Sequence, residues 1–340
     1  MNTTGLAKYS SALIALAICS ACAGSAVAPS AAGGLNVTYV GGTLVVNGRP
    51  VTAARLSPMP RYATILPDRH TKSRTFEYVS NYNYGGSGGP DTEIFDYPKS
   101  TEPIGTIATI SGAECANALY GYGKKYFWIV SSAAQITEFE VLKKPIKTLS
   151  VAFSFPSSCA VNANGDLAVG VLAGSGGGDV VIFKNASGSG TVYTTPLAKV
   201  YFDGYDRKGN LFADGFTGSD KFGLVELPKG SGTFETITTS NTVQFPGSVQ
   251  WDGRYVTVFD QFANATYRYA VHGAKAALQG TVSLSGSSDC AQTWLAAGIV
   301  YCADAGNNDV EIFKYPTGGT AIGALTDGVN FPLGVTAAEK

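Results

Sequence analysis

The stretch FDGYDRKGNLFADG, residues 202–215, decides the fold of this 340-residue chain. Its two ends are short extended segments, and the turn between them, from Arg207 to Asn210, contains the glycine and asparagine that favour a tight reversal. It therefore predicts a strand, a turn and a second strand. The same phrase returns as VNANGDLAV at 161–169 and as VQWDGRYV at 249–256. Because one such hairpin is only marginally stable alone, the copies indicate a larger sheet protein.

Two independent markers repeat along the chain with one period. Positions equivalent to Asp203 lie 44, 44, 44, 43 and 43 residues apart, at Cys115, Cys159, Asp203, Gly247, Cys290 and Leu333. An aromatic residue ends the next extended run at 92–95, 136–139, 180–183, 266–269 and 310–313, and Leu227 ends the run between the third and fourth of these. A period of about 40–50 residues with several short strands is typical of a β-propeller blade. We therefore predict an all-β fold, a six-bladed β-propeller of four-stranded blades.

The two ends of the repeat region are each incomplete, and each supplies what the other lacks. The first aromatic run has no hairpin before it, and the segment that begins at Leu333 has no aromatic run after it. We predict that this C-terminal segment forms the innermost strand of the first blade and closes the ring, which removes the open sheet edges. The predicted propeller domain is 74–340.

The N-terminal part of the chain is predicted to lie outside the propeller. Residues 1–28 read as an export signal, with Lys8, an apolar run at 12–18 that is too short to span a membrane, and small residues after it. Cys22 also ends a segment that resembles a lipobox, so lipidation at Cys22 and simple cleavage both stay open. Residues 29–73 are predicted to form an extended arm with a small hairpin at 43–51, in which Pro50 favours an edge strand.

Composition limits the partners and the compartment. Only 14% of the residues are charged and the net charge is −1, which argues against nucleic acid or an anionic membrane as partner. Contact with a membrane is predicted only through the lipid anchor at Cys22, and the protein is predicted to be a monomer. An export signal places it in the periplasm, the cell envelope or the extracellular space.

The cysteines after the signal suggest one disulfide. Cys290 and Cys302 are predicted to face each other across a hairpin that turns near Ala296, within disulfide range, and an exported protein permits the bond. The alternative is a pair of buried thiols. Cys115 and Cys159 lie at matching places in neighbouring blades, where we expect the inner strands to diverge, so they are predicted to be free.

The hairpins and the aromatic runs after them resemble those of NHL-repeat and gluconolactonase-like six-bladed propellers. The resemblance rests on YDRKGNLFAD at 205–214 and YCADAGNNDVEIF at 301–313, covers about residues 74–338, and departs from the NHL pattern at Asp309, where an arginine is usual. It is closest to exported bacterial propellers of unassigned function. A WD-repeat interpretation fails because Trp251-Asp252 precedes a turn.

The metal-binding and catalytic residues of the enzymes in these families are not matched residue by residue in this chain. Gluconolactonase-like members bind a divalent metal with an early glutamate in an E-G-P context, and the nearest equivalent here is Glu114, followed by Cys115. Streptogramin-lyase-like members use a histidine near the mouth of the ring, whereas His272 follows an outer strand and His70 lies in the arm. The resemblance therefore implies a fold and no particular activity.

Acidic residues near the predicted mouth of the central channel form a candidate metal site. Glu114, Asp203 and Asp289 fall on alternating blades, and converging carboxylates could bind a hard cation such as Ca²⁺. The alternative is that each acid caps a turn or faces solvent. The repeated Asp214, Asp260 and Asp304 are interpreted as turn-forming residues that bind local backbone amides, because a residue repeated by the fold is most simply structural.

Two functions from different classes remain. The first is an exported, non-catalytic propeller that needs no cofactor and presents a face to a protein, a glycan or a small ligand, supported by low charge and by loop tyrosines at 82, 84, 97, 120 and 122. The second is a metal-dependent lactonase-like or lyase-like hydrolase with Glu114, Asp203 and Asp289 as ligands. A lactone panel with and without added metal distinguishes them.

Overall fold

The computed structural model describes three short strands between residues 37 and 50 and then residues 75–82, 90–108, 110–116, 126–131, 134–153, 155–172, 174 and 177–339. The predicted export signal, Cys22 and most of the predicted arm lie outside the described residues. The chain divides into two compact units, Met1–Tyr62 and Ala63–Lys340. In the part of the chain that is described, no helix has the length and apolar character needed to cross a lipid bilayer.

The first unit contains a small antiparallel sheet. Its strands are β1 (Val37–Val40), β2 (Thr43–Val46) and β3 (Arg49–Pro50), in that order across the sheet. Val46 pairs with Arg49 and Val45 with Pro50, as the hairpin predicted at 43–51 requires. Proline has no N–H to donate to a second neighbour, so Pro50 lies on an edge strand.

The second unit is built from antiparallel meanders. The first sheet contains β4 (Thr75–Asn81), β5 (Asp91–Phe95) and β6 (Gly105–Ala108). The second contains β7 (Glu114–Ala116), β8 (Tyr126–Ser131), β9 (Gln135–Glu140) and β10 (Pro145–Ser150). The third contains β11 (Pro156–Val161), β12 (Leu167–Val171), β13 (Asp179–Phe183) and β14 (Thr191–Thr194), with a short 3₁₀ helix at Lys184–Ala186.

Two further meanders are joined in one nine-stranded sheet, and a last meander follows. The joined meanders are β15 (Lys199–Tyr205), β16 (Leu211–Phe216), β17 (Phe222–Leu227) and β18 (Glu235–Thr239), and β19 (Val249–Trp251), β20 (Val256–Asp260), β21 (Ala265–His272) and β22 (Lys275–Ser285). The last sheet contains β23 (Cys290–Ala296), β24 (Ile299–Asp304), β25 (Asp309–Lys314) and β27 (Gly323–Leu325), while β26 (Gly319–Thr320) pairs with β22.

The C-terminal strand β28 (Pro332–Glu339) returns to the first sheet and pairs with β4 along its whole length, from Pro332 opposite Asn81 to Glu339 opposite Thr75. The first strands of successive meanders contact one another, from β28 to β7, β11, β15 and β19, and β23 contacts β28. Ser248 and Gln250 bind the backbone of β23 and complete the circuit. The prediction of an all-β, propeller-like ring is therefore confirmed.

The aromatic marker of the sequence has a packing explanation. Phe95, Phe139, Phe183, Tyr269 and Phe313 end or nearly end the third strand of their meanders, and each is 0% exposed. A large buried side chain at the same place in each repeat fills the wedge between neighbouring sheets, where burial of an aromatic side chain contributes about 1.5–3 kcal/mol.

The recurring hairpin phrase folds as predicted because its polar residue organises the turn. The Asp206 carboxylate accepts backbone hydrogen bonds from Lys208 (2.8 Å) and Asn210 (2.9 Å). Asn162 does the same for Asn164 and Asp166 in the third sheet. Gly209, with φ of 88°, takes the left-handed backbone that this turn needs.

The predicted disulfide between Cys290 and Cys302 is present, with Cα atoms 5.5 Å apart. The register differs from a directly opposed pair, because a bulge after Cys290 places Thr293 opposite Cys302 and Cys290 opposite Asp304. The turn of this hairpin is formed by Ala297 and Gly298, which both have positive φ.

The prediction that Cys115 and Cys159 are free is wrong. They form a second disulfide between β7 and β11, with Cα atoms 5.7 Å apart. We expected inner strands of neighbouring sheets to diverge, but near the centre of the ring these two lie side by side. The two cysteines are 44 residues apart, which is one repeat length, so they occupy equivalent positions on neighbouring inner strands. Two disulfides fit an oxidising environment.

The disulfide that spans the longer loop should contribute more to stability. In the chain-entropy model, replacing Cys115 and Cys159 with alanine lowers the free energy of unfolding by about 4 kcal/mol, against about 3 kcal/mol for Cys290 and Cys302, because the two bridges span 44 and 12 residues. Urea unfolding of the two double variants measures both values. A larger loss for the Cys290 and Cys302 variant contradicts the expectation.

Candidate functional site

A polar cluster surrounds Glu114 at the start of β7. Its carboxylate accepts a hydrogen bond from the Ser80 hydroxyl, which also contacts the Thr92 hydroxyl at 2.9 Å. Burial raises the pKa of Glu114 well above its ordinary value, while Ser80 and the Thr336 N–H act in the opposite direction. Glu114 is thus a buried, hydrogen-bonded group at the junction of the first two sheets.

Gln292 on β23 connects three inner strands. Its amide nitrogen donates to the Glu114 carbonyl at 2.6 Å, and its amide oxygen accepts the N–H groups of Glu114 (3.0 Å) and Val335 (3.3 Å). These bonds join the last sheet to β7 and to the returning strand β28.

Asp203 on β15 lies beside a cavity of about 10 Å³, roughly the volume that holds one water molecule. Ser158, Gln292 and Thr293 also line this cavity. Asp203 is 4% exposed, and neither of its carboxylate oxygens has a well-formed hydrogen bond, although the Ser158 hydroxyl faces it. Burial raises the pKa of Asp203 from 3.8 to about 7, against the opposing effect of Ser158.

Asp289 precedes β23 and is half-buried. Its N–H donates to the Asp304 carboxylate at 2.9 Å, and its carbonyl accepts the Ala305 N–H at 2.9 Å. Neither Asp289 nor Glu114 lines the cavity at Asp203.

The structure does not bring the three predicted metal ligands together as one group. Among the described residues, the sets of potential ligand atoms that all lie within 4.8 Å of one another come from Cys290, Cys302 and Asp304, and from Asp304, Asp309 and Glu311. Glu114, Asp203 and Asp289 are in neither set. Asp203 and Ser158 are oxygen donors that line the cavity, and a metal at Asp203 stays a prediction.

Asp304, Asp309 and Glu311 form a second cluster of acids, which the sequence pattern did not predict. Asp304 ends β24 directly opposite Asp309 at the start of β25, so the hairpin register was the signal that could have found it. Burial first, and then the neighbouring Glu311 and Asp304, raise the pKa of Asp309 to about 6. The Ser287 hydroxyl donates to Glu311. Clusters of acidic residues are common in proteins without a bound metal ion. The Asp304 carboxylate already accepts hydrogen bonds from backbone N–H groups.

The repeated aspartates bind backbone amides. Asp304 accepts N–H groups from Ser288 (2.6 Å), Asp289 (2.9 Å), Gly306 (2.9 Å) and Asn307 (3.0 Å). Asp260 accepts four others, from Gln244, Phe245, Phe262 and Ala263. Asp214 joins two meanders through the N–H groups of Phe202 and Gly247. The interpretation as turn-forming residues holds for Asp260 and Asp304, which also bind amides two and three residues later, whereas Asp214 binds only amides that are distant in the chain.

Neither histidine is described near Glu114 or Asp203. His272 is an exposed residue at the end of β21, and His70 lies outside the described residues.

No protein family profile matches this chain. No curated protein sequence matches it either. Solved structures do match. A chain in the crystal structure of a nidogen/laminin complex is 11% identical, with a TM-score of 0.60 over 78% of this chain and 98% of that one. A protein of unknown function from Desulfotomaculum acetoxidans is 8% identical, with a TM-score of 0.53 over 78% of this chain and 99% of that chain. A putative 6-phosphogluconolactonase from Bacteroides uniformis is 15% identical, with a TM-score of 0.47 over 76% and 84% of the two chains. At these identities the likeness concerns the fold alone, and it is to β-propellers.

Proposed function

We propose that the ring is a six-bladed propeller of the kind found in NHL-repeat and gluconolactonase-like proteins. The nine-stranded sheet counts as two blades, because only the pairs Thr238–Lys275 and Thr239–Ala276 join its two meanders, in parallel orientation. Each remaining four-stranded sheet counts as one blade, including the first, which the C-terminal strand β28 completes. The near-constant sequence period of 43 or 44 residues supports the same count.

We further propose that the protein is an exported, non-catalytic propeller of the periplasm, cell envelope or extracellular space, which binds a protein, a glycan or a small ligand as a monomer. The supporting observation is that, among the described residues, Glu114, Ser80 and Gln292 are hydrogen-bonded between neighbouring inner strands, and the cavity at Asp203 has a volume of about 10 Å³. Because this cavity holds nothing larger than a water molecule or an ion, we place the proposed ligand at an outer surface of the ring. The nidogen/laminin chain is an example of a propeller crystallised in a protein complex.

A metal-dependent lactonase-like or lyase-like hydrolase is the second candidate. One observation favours it: the Asp203 carboxylate is buried at the cavity without a well-formed hydrogen bond. A Ca²⁺ ion prefers such oxygen ligands, and Asp203 with Ser158 would hold it, whereas Glu114 and Asp289 do not line this cavity. A bound cation would polarise a carbonyl oxygen of the substrate.

Turnover assays on the exported protein test the two functions. We expect no hydrolysis of a panel of lactones above the rate in buffer, with or without added Ca²⁺ or Zn²⁺, because the cavity at Asp203 has no room for a substrate. The Asp203→Asn variant is the matched control. Hydrolysis that depends on added metal and is lost in the Asp203→Asn variant would contradict the non-catalytic function and support the metal-dependent hydrolase.

A further inference from the structure

The fifth and sixth meanders separate their charged side chains between the two ends of the ring. In an antiparallel meander, the connection between the first and second strands lies at the same end as the connection between the third and fourth. We call this end of the two meanders the basic end, and its residues are 252–255, 268–275, 296–299 and 314–322. Its charged side chains are Asp252, Arg254, Arg268, Lys275 and Lys314. The acids of the same two meanders at or near the opposite end are Asp260, Asp289, Asp304, Asp309, Glu311 and Asp327.

The acid of the basic end, Asp252, is occupied by groups of the protein itself. Its Oδ1 accepts the backbone N–H groups of Arg254 (2.8 Å) and Tyr255 (2.6 Å). Its Oδ2 accepts the Arg268 Nε–H (2.7 Å) and the Tyr315 hydroxyl. The Asp252 side chain is 0% exposed. Burial by itself raises the pKa of Asp252, but these hydrogen bonds together lower it, so the carboxylate is ionised and its charge is balanced by Arg268.

The Arg268 guanidinium is held in place and keeps donors for a second acceptor. Its central carbon lies 4.9 Å from the ring centroid of Tyr255 and 5.4 Å from that of Tyr315. The ion pair with Asp252 uses Nε, and the Tyr315 hydroxyl also lies close to the guanidinium. Because a guanidinium carries five N–H donors, several remain, and the side chain is 20% exposed. A side chain that is already fixed in this way loses little freedom when a ligand binds.

Arg254 adds a second guanidinium at the same place. It is an exposed residue, and its central guanidinium carbon lies 5.1 Å from the ring centroid of Tyr255, the ring that Arg268 also contacts. The ion pairs among the described residues do not include Arg254, Lys275 or Lys314. Lys275 and Lys314 are exposed as well. The positive charge of the basic end is therefore available to a ligand.

The excess of basic residues is local to the fifth and sixth meanders. At the same end of the ring, the described charged residues of the fourth meander are Arg207, Lys208, Lys229, Asp206, Glu226 and Glu235. Those of the first meander are Lys99, Glu77, Asp96, Glu102 and Glu339. Bases therefore outnumber acids at the basic end but not in the two meanders that flank it, and an anion is attracted to this part of the ring more than to its neighbours.

We propose that the basic end binds an oxyanion, a carboxylate or phosphate group carried by the ligand, at Arg254 and Arg268. This inference rests on the proposed binding function and names the chemistry of its ligand. A guanidinium donates paired N–H groups that match the oxygens of a carboxylate or a phosphate, and such charge-assisted hydrogen bonds are among the strong ones. Four basic residues on two meanders suit a single anionic group, whereas a nucleic acid is bound through many phosphate contacts.

Calorimetric titration of the mature protein at low ionic strength tests this proposal, with inorganic phosphate, glucuronate and, as the neutral probe, glucose. We expect phosphate or glucuronate to bind and glucose to fail, and the tighter of the two anions identifies which group carries the oxyanion. Arg254→Gln should weaken the binding at least about tenfold, because it removes a charged donor from an exposed position that forms no ion pair. Arg268→Lys keeps the charge beside Asp252 but loses the paired donors, so it should weaken the binding similarly.

The matched control is Arg207→Gln, which removes an exposed arginine from the equivalent turn of the fourth meander and changes the net charge equally. Wild-type affinity in this control supports the proposal. Equal weakening in Arg207→Gln and Arg254→Gln shows a general attraction of anions and overturns the site, as does binding that survives both Arg254→Gln and Arg268→Lys. If neither anion binds, the oxyanion site fails while the proposed function stands. Lactone turnover in the assay above overturns the proposed function instead.

Discussion

Deletion of residues 331–340 should abolish cooperative folding of the ring. The deleted segment contains β28, which pairs with β4 from Pro332 to Glu339 and contributes the fully or nearly fully buried Val335, Ala337 and Ala338. Without it, backbone groups of β4 lose their partners, and each unpaired buried group costs about 1–3 kcal/mol. Several such groups together exceed a typical folding margin of about 5–15 kcal/mol.

Thermal melts followed by circular dichroism measure this effect. A synthetic peptide of residues 331–340 should restore part of the transition when added to the truncated protein, because the open edge of β4 can pair with it again. A peptide of the same composition in scrambled order is the control and should do nothing. A truncated protein that melts at the full-length temperature refutes the closure of the ring by this strand.

Stability should fall as the pH rises from about 4 to about 7. Burial raises the pKa of Asp203 from its ordinary value of 3.8 to about 7 in the folded protein. Between these two pH values the folded protein therefore binds more protons than the unfolded chain. The stabilisation from protonated Asp203 is fully present below the pKa that Asp203 has in the unfolded chain. It is lost as the pH rises through the pKa that Asp203 has in the folded protein. For Asp203 alone the loss is on the order of 4 kcal/mol. Burial also raises the pKa of Glu77 and of Glu93 to about 7, which adds to the same slope.

Asp203→Asn isolates this contribution, because asparagine has the same shape and no charge. In the presence of a chelator, we expect the variant and the wild type to have the same melting temperature at low pH. At pH values above about 7, the melting temperature of the variant should be higher by several degrees. Equal melting curves for both proteins across this range would contradict a buried, uncompensated carboxylate.

Added Ca²⁺ provides the complementary measurement. A cation that binds only the folded form stabilises it by about 2.7 kcal/mol at a hundredfold excess over Kd. A rise in the melting temperature of wild type that is absent in Asp203→Asn would favour the metal-dependent hydrolase. Unchanged melting with Ca²⁺, Mg²⁺ and Zn²⁺ removes the support that this alternative draws from Asp203.

Much of the fold could be predicted because its signals are local. The turn at Asp206 depends on hydrogen bonds to residues two and four positions later, and the same bonds recur at Asn162. The incomplete repeat at Leu333 indicated where the C-terminal strand belongs, and β28 does pair with β4. The pairing of Cys290 with Cys302 followed from a hairpin whose two strands are adjacent in sequence.

The candidate site could be predicted much less well. The sequence places Glu114, Asp203 and Asp289 on different meanders, and nothing local states how far each reaches toward the centre. The Glu114 carboxylate accepts a hydrogen bond from Ser80, and Asp203 lines a small cavity. The backbone of Asp289 is hydrogen-bonded to Asp304 and Ala305. The Cys115–Cys159 disulfide was missed for the same reason, since it depends on the spacing of neighbouring sheets.

The sequence by itself determined the repeat, the hairpin turns and the strand that returns to the first sheet, because these follow from the period and from bonds between residues close in the chain. Only the tertiary structure decided which side chains meet at the centre and which connections share an end. Those depend on the radius and twist of the ring, which arise from packing between sheets, as when Phe139 is buried against its neighbours.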